Sequence, residues 1–149
     1  MALQSPAETA AFSFRPFRGE ADYAAMAEIA RLCNLADRVP YLETVEELAN
    51  TYAHLVNCDP AHDVFMVEVD GVLVGYQRTW WLRASDGQYL YLLAGHVTPA
   101  YRRQGLGQQL LARGEQRLRQ VAALHPSGAP RCLQSFTSVT REGKVALLE

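Results

Sequence analysis

The stretch Val97-Thr98-Pro99-Ala100-Tyr101-Arg102-Arg103-Gln104-Gly105-Leu106-Gly107-Gln108 decides how this chain is read. Ahead of it, Tyr89-Leu90-Tyr91-Leu92-Leu93-Ala94-Gly95-His96-Val97 is apolar at successive positions, the pattern of a strand covered on both faces. Pro99 cannot donate to a β-ladder and pushes Thr98 extended, so the strand ends there. From Leu106 the period changes: Leu106, Leu110, Leu111, Leu118, Val121 and Leu124 mark one buried stripe of a long helix. A central strand thus runs through a basic, glycine-bearing loop straight into a helix N-terminus. There, unpaired backbone N–H groups and the helix dipole favour an anion. Gly105 and Gly107 let the backbone approach it without a Cβ, and Arg102 and Arg103 add forked donors suited to phosphate. The physical reading is a diphosphate-binding helix N-terminus.

Outward from this segment the chain alternates strands and helices. Phe12 to Arg18 alternates aromatic and polar residues as a short strand, with Pro16 suited to an edge. Tyr23, Met26, Ile29, Ala30 and Cys33 predict an amphipathic helix over 20–35. Thr44-Val45-Glu46-Glu47 has the form of a capping box opening a second helix, with Val45, Leu48, Tyr52 and Leu55 as its apolar stripe. Val64 to Trp81 reads as a hairpin turning at Asp70-Gly71, a pair that tolerates the positive φ of a type I′ turn. Cys132 to Val139 reads as another strand, and 141–149 as the opening of a helix. The order β-α-α-β-β-β-α-β-α predicts a mixed α/β (α+β) domain around one mixed sheet over 12–149, with 1–11 as a flexible leader.

Composition narrows the class. A chain of 149 residues, 49% hydrophobic and 20% charged, is the size of one domain with a real core. A formal net charge of −2 creates no whole-molecule field for nucleic acid or an anionic membrane, so neither is expected as a partner. No apolar run approaches the roughly 20 residues that cross a bilayer. MALQSPAETA lacks the basic and apolar regions of a secretory signal, so a cytoplasmic location is expected. Cys33, Cys58 and Cys132 form no disulfide framework, and His54, His62 and His125 share no metal-ligand spacing; no metal is expected, and the three histidines read as surface or cap residues.

Two familiar phosphate motifs fail on these residues. No Lys-Ser or Lys-Thr pair exists for a Walker A loop. The dinucleotide fingerprint would need a third glycine where Leu110 stands. Instead, Arg102-x-x-Gly105-x-Gly107 behind Val97-x-Pro99-x-Tyr101, with this order of elements, resembles the acetyl-CoA loop of the GCN5-related N-acetyltransferase (GNAT) superfamily.

The resemblance implies a GNAT-like fold and an acetyl-CoA-dependent N-acyltransferase that moves an acetyl group to a primary amine within a ternary complex. It implies acetyl-CoA as cosubstrate, with Val97 and Thr98 beside the pantetheine arm and Arg102, Arg103, Gln104, Gly105, Leu106, Gly107 and Gln108 around the diphosphate. The thioester would lie where the strand ending at Val97 and the strand starting near Cys132 part. A minority reading gives Arg113, Arg117 or Arg119 to the 3′-phosphate. Three positions depart from the family pattern. Leu148 stands where a tyrosine often protonates the departing thiolate. Thr140, Arg141 and Glu142 stand where an asparagine is common. The chain stops inside the last helix, so the C-terminal strands are missing, as in the N-terminal part of a longer or tandem-domain protein. A catalytically degenerate CoA-binding or scaffold domain is the alternative. A homodimer or a second GNAT domain is the expected protein partner.

Acetyl transfer needs a neutral amine. A lysine-like amine, with a pKa of about 10.4, faces a deficit of about 4.6 kcal/mol in that form at neutral pH, so a base must help. His96, on the central strand, and Glu68, on the hairpin, are the candidate catalytic residues. Tyr89 and Tyr91 fit either the core or the acceptor site. Trp80 and Trp81 point to opposite faces, one of them free to wall the acceptor cleft. Leu35, Tyr41 and Leu42 hint at a small-molecule amine rather than a strongly basic acceptor.

Overall fold

The structure, a computed structural model, describes residues 11–135 and 146–148. The leader up to residue 10, the predicted strand beyond Ser135, and Thr140, Arg141 and Glu142 lie outside the described residues. Five strands form one sheet in the order β1-β2-β3-β4-β5: β1 Ser13–Pro16, β2 Val64–Val69, β3 Val72–Arg83, β4 Tyr89–Val97 and β5 Arg131–Ser135. The first four pair antiparallel and β4 pairs with β5 in parallel, which makes the sheet mixed, as the element order predicts. Helices α1 (Tyr23–Ala36) and α2 (Val45–Ala53) cover one face, and α4 (Leu106–Ala122) covers the other. A short turn of helix, α3 (Pro60–Asp63), which the apolar pattern does not announce, leads into β2.

The two faces follow from strand alternation. Met66 and Tyr76 meet Met26, Ile29, Cys33 and Leu48 of α1 and α2. Val67 and Val74 meet Leu106 and Leu110, while Tyr89, Tyr91 and Leu93 meet Leu118. Between Val67 and Glu68 the β2–β3 register shifts, so Val74 is the extra residue of a bulge. The bulge lets Leu73 pack towards α1 while Val74 packs towards α4.

Local chemistry explains the boundaries. Glu47 N–H donates to Thr44 Oγ1 and Thr44 N–H to the Glu47 carboxylate, closing the capping box. Asp70 (φ 51°) and Gly71 (φ 77°) both take the left-handed conformation of the type I′ turn. The predicted first helix instead opens with a 3-10 turn at Gly19–Asp22, because buried Asp22 accepts the Arg18 N–H and a two-pronged ion pair from Arg15. The predicted stripe of the long helix loses Leu124, which is 84% exposed, because α4 stops at Ala122 and unwinds through a turn.

Candidate active site

The loop from β4 to α4 is built from tight turns. Thr98 N–H donates to Val74 O, anchoring the strand end, and Tyr101 N–H then returns to Thr98 O in a 3-10 turn. Arg102 (φ −72°, ψ 161°) and Arg103 (φ 65°) reverse the chain as a type II turn does, and Gly105 (φ 81°) stands at the N-cap of α4. The first helical bond is Gln109 N–H to Gly105 O, so the N–H groups of Leu106, Gly107 and Gln108 precede any helical acceptor. Glycine at the cap has no side-chain oxygen to offer them. Such an uncapped end favours an anion.

The two arginines part company. Arg102 turns inward: its guanidinium forks onto Asp37 at 2.6 and 2.9 Å, and its Nε donates to Val97 O at 3.1 Å. Asp37 raises the pKa of the guanidinium further, chiefly through this hydrogen bond. The Arg102 N–H is also engaged, by Pro99 O at 3.2 Å. The Arg102 side chain, expected at a phosphate, is thus engaged within the protein. It braces the C-terminal end of α1 against the end of β4, with Cys33 Sγ donating to the same Val97 O at 3.2 Å. Arg103, at the next position, is exposed on the loop.

Beside this loop lies a cleft of about 480 Å³. Its floor is the end of β4, from Leu93 to Val97. Thr98 pairs with Val74, so by antiparallel alternation Gly95 and Val97 direct their N–H and C=O groups away from β3, towards the cleft. The Val97 carbonyl, held by Cys33 and Arg102, confirms that direction and is itself spent within the protein. Gly95 fits because a Cβ there would strike the Tyr76 carbonyl and the Gln77 backbone. Ser135 lines the same cleft, and its buried Oγ has no hydrogen-bond partner among the described residues. Ala146, Leu147 and Leu148 form a helical wall opposite, with Leu147 Cδ2 3.3 Å from where a Cβ on Gly107 would stand. Leu148 brings no hydroxyl to this wall.

His96 lines the cleft, on the sheet face shared with α1 and α2. It stands opposite Tyr76 in register, with ring centroids 5.5 Å apart. Glu68 is not brought to it. It sits on β2 beside edge strand β1, paired with Arg15 and 4.0 Å from Arg18, and lines no part of the cleft. Its strand is two removed from β4, and its carboxylate ties β1 to β2.

Other candidates resolve into structure. Tyr89 and Tyr91 are core. His125 is partly exposed in the turn after α4: its Nδ1 lies 2.7 Å from the Tyr91 hydroxyl and its ring packs on Trp81 and Tyr89, burial holding its pKa down. Arg113 lies over Phe14, Arg117 pairs with Asp63 and Arg119 with Glu115. Among the described residues no three His, Cys, Asp or Glu side chains gather to hold a metal ion, and no helix is long and apolar enough to cross a membrane.

Sequence reasoning missed Asp37, Ser135, Arg78 and Glu43. The last two face the sheet surface beyond His96, where burial and Glu47 push the Glu43 carboxyl above the ordinary range against the pull of Arg78. No local motif announces any of them.

Residues 23–127 match the model of the Acetyltransferase (GNAT) family, and the chain belongs to that family. Solved structures agree on the fold. A GCN5-related N-acetyltransferase from Sphaerobacter thermophilus superposes with a TM-score of 0.76 at 25% identity, over 92% of this chain. This chain spans 41% of that protein's length. The yncA protein of Salmonella typhimurium, solved with its cofactor acetyl-CoA, gives 0.65 at 22% identity over 91% of this chain and 75% of its own. The ribosomal-protein-S18-alanine N-acetyltransferase of Escherichia coli gives 0.64 at 17% identity over 93% and 74%. No curated protein matches the chain by sequence.

Proposed function

We propose that this chain is an acetyl-CoA-dependent N-acetyltransferase that passes the acetyl group directly to a primary amine within a ternary complex. The observation that carries the reading is the N-terminus of α4, without a side-chain cap, opening onto the cleft beside the end of β4. The residues present suit the cofactor. Gly105 leaves open space for a diphosphate, and the N–H groups of Leu106, Gly107 and Gln108, which have no helical acceptor, suit it with Arg103 and Gln104 beside them. The Gly95 backbone and the Ser135 Oγ, which has no hydrogen-bond partner among the described residues, suit the amides of a pantetheine arm, which need donors and acceptors in a dry groove.

Acetyl-CoA, when bound, supplies an acetyl carbonyl activated as a thioester. The chain then has three tasks: hold that carbonyl beside β4, receive the amine from the α1–α2 face, and take up its proton. The Val97 N–H, aimed into the cleft, suits the developing oxyanion. His96 lines the cleft and is our candidate base, with Tyr76 packed against its ring. Glu68, fixed on Arg15, has no part in this reading. The test is release of free thiol from acetyl-CoA by the 149-residue chain with a panel of primary amines, with His96→Gln alongside. Amine-dependent release that falls at least about 100-fold in His96→Gln supports the reading. Tight acetyl-CoA binding with no release for any amine identifies a CoA-binding domain instead.

A further inference from the structure

A site made of backbone N–H groups is only as well aimed as the loop that carries them, because a peptide group has no rotamer to adjust. The loop from Thr98 to Gly105 needs an outside hold. Arg103 takes φ 65°, a left-handed conformation that glycine adopts freely but that strains a residue with a Cβ. Such a conformation persists where its surroundings impose it. Arg102, one residue earlier, reaches out of the loop: its two terminal nitrogens donate to the Asp37 carboxylate at 2.6 and 2.9 Å, and its Nε donates to Val97 O at 3.1 Å.

Asp37 is in turn fixed on its own element. Its N–H donates to Cys33 O at 2.9 Å at the end of α1, and its side chain is only 10% exposed. The chain leaving it is tied back to the same turn, Val39 N–H donating to Asn34 O and Asn34 Nδ2 to Tyr41 O. Cys33 Sγ donates to the Val97 O that Arg102 also holds. The C-terminal end of α1 thus grips both the end of β4 and the loop that follows it.

Asp37 also lines the cleft, and there it acts on an anion in two opposite ways. As a charge it repels a diphosphate and occupies a guanidinium that would attract one, so its removal would tighten binding. As a brace it keeps the loop's N–H groups aimed, so its removal would weaken binding. The geometry favours the brace. Asp37 and Arg102 already neutralise each other, and Val97 O retains the Arg102 Nε whether or not Asp37 is present.

We infer that Asp37 is a positioning residue of the cofactor site: through Arg102 it holds the 98–105 loop so that the free N–H groups opening α4 meet the diphosphate of acetyl-CoA. This rests on the acetyltransferase reading of the cleft.

The test is a calorimetric titration of the full chain with acetyl-CoA, wild type first, then Asp37→Asn and Asp37→Ala, each below the onset of its own thermal melt. Asparagine keeps one acceptor oxygen for Arg102 at the same reach, and alanine keeps none. Affinity is expected to fall about 3-fold in Asp37→Asn and about 10-fold in Asp37→Ala, although both remove a negative charge from the cleft. Hydrogen exchange without ligand is expected to quicken at the Tyr101, Arg102 and Gln109 amides, which are bonded within the loop and its junction with α4, and to stay unchanged in β2 and β3. A folded Asp37→Asn chain that binds acetyl-CoA as tightly as wild type or more tightly overturns the inference and leaves the cofactor site standing. Exchange that quickens equally throughout the sheet overturns it too, since Asp37 would then serve only stability. Should Asp37→Ala not fold, the isosteric Asp37→Asn decides alone. Failure of the wild type to bind acetyl-CoA overturns the acetyltransferase reading and this inference with it.

Discussion

At Arg102 a guanidinium that the motif offers to a phosphate is held instead by Asp37 and Val97 O, contacts that join the loop, α1 and β4. Arg103 makes no such contact and stands exposed. Their substitutions therefore separate. Arg102→Met is expected to cost about 1–3 kcal/mol of stability, since it strands the largely buried Asp37 carboxylate. Arg103→Met is expected to leave the melting temperature within about 2 °C while weakening acetyl-CoA several-fold. Thermal melts and calorimetry on both variants check this. A second charge cluster sets the acid limit of the fold. Burial alone raises the Asp22 pKa, but the Arg15 hydrogen bond, the Arg18 N–H and both cationic charges outweigh it and hold the carboxyl below its ordinary value. A depressed folded pKa means stability present in full above the unfolded value of about 3.9, lost as pH falls through the folded one. Wild type is thus expected to destabilise below about pH 4, and Asp22→Asn to lose about 3 kcal/mol at neutral pH while flattening that acid limb. Denaturant melts at several pH values measure both. Neither cluster was legible in the sequence, because Asp37 lies 65 residues from Arg102 and Glu68 lies 53 from Arg15, and no periodicity reports such pairings.

Elements were the most legible scale, for a physical reason. The capping box at Thr44, the Asp70-Gly71 turn and the double-sided apolar run of β4 each declare themselves within a few residues. What they pack against is not local. Gly114 looks like a helix-weakening residue on α4, yet a Cβ there would strike the amide of Gln77, which is buried and donates to Leu110 O. Gly114→Ala gains about 1 kcal/mol of helix propensity and loses about 1–3 kcal/mol to overpacking. The net expectation is destabilisation by up to about 2 kcal/mol, read as a lower denaturant midpoint at unchanged slope. A rise in midpoint would mean that α4 sits further from β3 than described. The bulge at Val74 and the helical turn α3 escaped notice for the same reason: each is imposed by a neighbour and not by its own pattern.

At the scale of the whole molecule, the fold was readable and the loop proposed for the cofactor could be named because both rest on one contiguous segment, the β4–loop–α4 unit. The rest of the cleft lining was not readable: His96 lies on that segment, but Asp37, just beyond α1, and Ser135, on β5, reach the cleft only through the fold. The central claim is that the N-terminus of α4 receives the diphosphate of acetyl-CoA, and Gln108 offers its most direct test. It is exposed in the first turn, where a carboxylate favours the helix dipole by about 0.3–1 kcal/mol but repels a bound anion. The measurement is a calorimetric titration of Gln108→Glu with acetyl-CoA, beside its thermal melt. The account predicts a melting temperature equal to or above wild type together with affinity weakened about 10-fold or more. A variant that melts higher and binds acetyl-CoA as tightly as wild type would contradict it, because the anion would then lie elsewhere.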